Sequence, residues 1–145
     1  MILSKKYNPA KGVLVQVISF VMMTLMLYAG TVKLLNVPLF EEQMSKSPLI
    51  PEILIPYIGY LLPLAEILIA LLIIIKRTTR MGLLLSFIVM LMFTFYLIFL
   101  SSLFENVPCS CGGILGRMSY TVHIIFNISF TILAWMGFSL YEDLG

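Results

Sequence analysis

The chain has 145 residues, 61% of them hydrophobic and 11% charged, with a formal net charge of +2 and a mean hydropathy of +1.07. A soluble domain carries roughly 25% charged residues, so this inventory cannot build a water-facing surface and the expected solvent is lipid. Length leaves room for a single membrane domain over 1–145, and nothing in the charge pattern suggests a nucleic-acid patch.

Runs without a charged residue cover 12–32, 81–104 and 118–141, and a fourth, 53–75, is interrupted only by Glu66. Each meets the ~20 residues a helix needs to cross a bilayer. The runs do not alternate polar with apolar, which excludes a closed β-barrel. The expected fold is all-α: an integral membrane four-helix bundle with helices at about 12–36, 53–75, 81–103 and 119–140. The first run is too long for a cleaved signal peptide and precedes no soluble domain, so it reads as a retained helix.

Basic residues set the expected orientation. Lys5, Lys6 and Lys11 precede the first helix, and Lys76, Arg77 and Arg80 fill the link between the second and third. Both belong in the cytoplasm. The segment 37–52 carries Glu41, Glu42 and Glu52 against Lys46 and belongs outside, as does 104–117. The reading is N-in, C-in, in the inner (cytoplasmic) membrane of a bacterium.

In chain order, the first helix ends in YAGTVKLLN, stopped by Pro38. Pro38, Pro48, Pro51 and Pro56 argue against one continuous helix through the next segment. Its apolar residues Leu39, Phe40, Met44, Leu49 and Ile50 suggest a stretch on the membrane surface or tucked between helices. Pro63 is expected to kink the second helix three residues before Glu66. The third helix has no ionisable residue except Tyr96 and reads as wall. In the fourth, Ser119, His123, Asn127 and Phe130 recur at spacings of four, four and three, which is one helical face. The ten methionines read as core filler.

Ionisable groups inside lipid are costly and are functional candidates by default. Three occur here: Lys33, Glu66 and His123. Glu66 must be protonated, paired or facing a wet cavity. Lys33 is the natural partner, although it also suits snorkelling to the interface. Their depths match poorly, so a long lysine or a tilted helix would have to close the gap. A structural polar pin between helices is the bland alternative.

Both cysteines, Cys109 and Cys111, stand in PCSCGG just before the fourth helix. An external loop is a compartment where disulfides form and persist. A bridge across one residue closes a minimal loop and constrains little, which argues against a staple. Such a ring is tight, and strained disulfides are labile or catalytic. A helix N-terminus lowers a thiol's pKa, and an imidazole exchanges its proton. His123 and Asn127 therefore join the cysteines as candidate catalytic residues, with Arg117 near them in sequence.

YAGTVKLLN with PLF downstream, PLAEI in the second helix, and PCSCGG followed by MSYTVHIIFN resemble the MauE branch of the DoxX-like membrane proteins, over about residues 12–138. The resemblance implies a four-helix membrane protein of the methylamine-utilisation type. It implies a role in maturing the disulfide-rich small subunit of methylamine dehydrogenase, beside a periplasmic thioredoxin-like partner. Carried over, Cys109 and Cys111 are the redox pair, His123 and Asn127 lie beside them, and Lys33 and Glu66 lie in the membrane. The chain resembles DsbB and vitamin K epoxide reductase more loosely; those oxidases use two cysteine pairs and this chain has one. Electrons would then pass to a partner thioredoxin or to a lipid-soluble quinone.

Two other classes remain open. Cys109, Cys111 and His123, with Met118, suit a soft Cu(I) or Zn site. A small transporter or assembly scaffold would instead use Lys33 and Glu66 along a polar path. Oligomeric state is not legible in the chain.

Overall fold

The computed structural model describes residues 8–103 and 119–144. The described residues form helices and no strand, matching the all-α expectation. Four helices are long and apolar enough to cross a membrane. In chain order the elements are α1 (Pro9–Leu35), α2 (Val37–Ser45), a 3₁₀ turn (Glu52–Leu54), α3 (Ile55–Ile74), α4 (Thr79–Leu103) and α5 (Tyr120–Leu144).

Local chemistry explains the boundaries. Asn8 caps α1, its side chain accepting from the Ala10 N–H at 3.1 Å, with Pro9 in the first turn. At the far end α1 stops at Leu35, and Pro38 does more than end it. It sits in the first turn of α2, where its missing N–H costs nothing. The proline-rich stretch thus contains a nine-residue helix after all. α2 is tucked in rather than laid on the surface: Phe40 and Met44 are buried against Ile55. α3 runs unbroken through Pro63. In the link to α4, Thr78 and Thr79 donate to the Leu72 and Ile73 carbonyls at 2.8 and 2.9 Å, satisfying acceptors the helix end leaves open.

The four long helices pack in a ring, α1 on α3, α3 on α4, α4 on α5, and α5 back on α1. The core is aliphatic and rich in methionine: Met22, Met26, Ile69, Ala70, Leu83, Met90 and Ala134. Gly82 lets α4 approach α3 closely, since a Cβ there would stand 2.8 Å from the Ile73 amide nitrogen. Large apolar side chains face outward on all four helices, among them Phe20, Leu61, Phe95 and Ile125. A surface of that kind suits lipid. At the end carrying the α1 N-terminus, Lys11 pairs with Asp143 at 3.2 Å and Arg80 with Glu142 at 2.9 Å, while Tyr141 donates to the Lys76 carbonyl.

Candidate functional site

The helices bring their intramembrane polar residues together at the opposite end. Lys33 and Glu66 are 3% and 2% exposed, and Lys33 Nζ donates to Glu66 Oε1 at 2.5 Å. The depth mismatch expected from the sequence closes through the lysine itself. A helical side chain leans toward its own N-terminus, which carries the Lys33 ammonium about one turn down α1. Gly30, one turn below Lys33, lies against Pro63 and Glu66 and fixes that level.

The ammonium also stands over two rings, 4.9 Å from the centroid of Phe93 and 5.6 Å from that of Phe40. Cation–π contacts of this kind hold a charge where water is scarce. Reading α4 only as wall missed Phe93, because one phenylalanine in an all-apolar helix gives no signal. Glu66 Oε2, by contrast, is buried and has no hydrogen-bond partner among the described residues.

His123 and Asn127 are 2% and 5% exposed. Asn127 Nδ2 donates to the His123 carbonyl at 3.0 Å, and Thr131 Oγ1 donates to the Asn127 carbonyl at 2.7 Å. The inward face of α5 is therefore His123, Asn127, Thr131, Ala134 and Gly137. This corrects the face read from the sequence. Ser119 precedes the helix and is exposed, and Phe130 is only half-buried. Thr131 continues the stripe instead, reaching Thr94 of α4 at 3.3 Å.

Lys33, Glu66, His123 and Asn127 line one cavity of about 30 Å³, closed on the α4 side by Met90 and Phe93. Behind Phe93 and Phe40 lies an apolar pocket of about 240 Å³ between α2, α3 and α4, bordered by Tyr96. Tyr96 donates to Ser47 Oγ at 2.7 Å and so ties α4 to the segment after α2.

Cys109, Cys111, Arg117 and Met118 lie outside the described residues. Among the described residues no cluster of three His, Cys, Asp or Glu side chains could hold a metal. Of the alternative Cys109, Cys111 and His123 site, only His123 is described.

The family model of the methylamine utilisation protein MauE matches residues 11–140. The chain belongs to the MauE family. With four apolar helices, it is a multi-pass membrane protein. No curated protein and no solved structure matches it. The family's description is consistent with a membrane protein of methylamine utilisation. The match runs from α1 to α5 and so takes in all four polar residues of the cavity.

Proposed function

We propose that this MauE-family protein is a membrane thiol–disulfide oxidoreductase that uses Cys109 and Cys111 to exchange disulfides with a periplasmic thioredoxin-like partner in protein maturation. One observation carries the reading: the buried residues His123, Asn127, Lys33 and Glu66 line one cavity at the end of the bundle where residues 104–118 join α4 to α5. Proton-handling groups thus sit at the end that bears the cysteine segment. In the proposed orientation this end faces outward in the inner membrane.

The exchange balances in two steps. A partner thiolate attacks one sulfur of a Cys109–Cys111 disulfide, forming a mixed disulfide and releasing the other sulfur as a thiolate. The partner's second thiolate then resolves the bridge, leaving the partner oxidised and both cysteines reduced. The reverse direction retraces these steps. His123 supplies or accepts the proton at the thiol.

The apolar pocket beside Lys33 fits the flat ring of a lipid-soluble quinone, with Phe40, Phe93 and Tyr96 as its aromatic wall. Such a group accepts two electrons and two protons. The transporter reading gains no support from a cavity of about 30 Å³, which is the size of a water site.

The test is to express Cys109→Ser, Cys111→Ser and the double variant with a Cys-x-x-Cys thioredoxin partner. One single variant traps a mixed disulfide on a non-reducing gel, and the double variant traps none and loses exchange. Full exchange by the double variant overturns the reading.

A further inference from the structure

Glu66 leaves one carboxylate oxygen unused in a place where that is unfavourable. Oε1 takes the bond from Lys33, while Oε2 is buried without a partner among the described residues. Buried polar atoms are normally satisfied by protein or by ordered water. Glu66 lines the cavity of about 30 Å³, which has room for one water. Apolar cavities of that size stay dry, but this one has polar side chains from three helices.

Among the described residues the groups facing Glu66 are few. α1 supplies Lys33 and α5 supplies His123 and Asn127. α4 supplies only Met90 and Phe93. α2 supplies Phe40 behind the ammonium, while Glu41 lies two turns away over Gly59. Lys33 is held by two rings as well as by the carboxylate. Its ammonium therefore keeps favourable contacts whether or not Glu66 is charged.

We propose that the cavity binds a water molecule at Glu66 Oε2 and that Glu66 is a proton-exchanging site, exchanging its proton with His123 through this water. In the transfer an imidazolium at His123 gives one proton to the water as the water gives one to the Glu66 carboxylate. The products are neutral imidazole and carboxylic acid, with total charge unchanged. This site stands without the cysteines. Its service to thiol chemistry rests on the oxidoreductase reading: two thiols forming a disulfide release two protons and two electrons, all of which end on the quinone-class acceptor as it becomes the quinol, and Glu66 holds one of the protons on the way.

Infrared difference spectroscopy on the full chain in lipid nanodiscs tests both parts. Lowering the pH brings up a carboxylic C=O band that shifts in D₂O and is missing in Glu66→Gln. If the glutamine variant fails to fold, Glu66→Asp, which keeps a carboxyl in a changed position, decides the matter by moving the same band. Absence of any exchangeable carboxylic band from mildly alkaline to mildly acidic pH overturns the proposal. The reduced-minus-oxidised spectrum is the second readout. A carboxylic band there, lost in the Cys109→Ser/Cys111→Ser variant, supports the coupling. A pH-dependent band without a redox-dependent one upholds the proton site and counts against the oxidoreductase reading. Where exchange can be measured, Glu66→Gln slows it about 100-fold and flattens its pH profile.

Discussion

Gly30 of α1 lies against the backbone carbonyl of Pro63 in α3, so near that a Cβ at position 30 would stand 2.7 Å from that oxygen. The same Cβ would meet the Ile67 side chain at 2.8 Å. A backbone oxygen cannot rotate away as a side chain can. The contact therefore fixes the separation and level of the two helices that carry Lys33 and Glu66. Small residues at helix crossings do this regularly in membranes.

Gly30→Ala is thus expected to destabilise the bundle by about 1–3 kcal/mol through overpacking. It also moves Lys33 away from Glu66. Denaturation in mixed micelles measures the first effect. For the second, the cost of Lys33→Met is smaller in the alanine background; an unchanged cost would show that Gly30 does not set the pair.

Lys33→Met leaves a buried carboxylate uncompensated and should cost about 3–5 kcal/mol. Adding Glu66→Gln removes the orphan charge and restores most of that loss. If the double variant is no more stable than the single one, the two residues do not act as a pair.

Phe93→Leu keeps an apolar side chain but removes the ring under the Lys33 ammonium. The expected loss is about 0.5–2 kcal/mol, and it shrinks when Lys33 is already methionine. A double-mutant cycle reads the difference; simple additivity would mean that Phe93 only fills space.

Tyr96→Phe deletes the bond to Ser47 and should cost about 0.5–1.5 kcal/mol. Ser47→Ala added to it costs little more, because both changes remove one interaction. Limited proteolysis of the segment after α2 gives an independent readout, with faster cleavage in either variant.

The spans were legible because lipid demands long uninterrupted apolar runs, and such runs are visible without any periodicity. The Lys33–Glu66 pairing was legible for a related reason: few ionisable residues lie inside the spans, so few partners exist. Its depth was not, since that depends on the lean of a lysine side chain and on how closely α1 and α3 approach at Gly30. Pro38 ends α1 as read, but the start of α2 was not legible, because a proline that ends one helix also suits the first turn of the next. Thr131 was in plain view four residues beyond Asn127, yet the aromatic Phe130 drew the face one position astray. The grouping of His123 and Asn127 with Lys33 and Glu66 depends on how three helices converge, and spacing along one helix cannot report that. Cys109 and Cys111 lie outside the described residues, so their place relative to the cavity rests on chain connectivity alone.

The acidic tail of α5 has a consequence for the order in which the protein is made. Lys11 and Arg80 precede their partners Asp143 and Glu142 by 132 and 62 residues. While the earlier helices enter the bilayer, those cations are uncompensated and act at full strength on the choice of side. Once α5 is in place, the same cations become fasteners between the first, third and last long helices. The charge that steers insertion is thus partly retired by the segment synthesised after it.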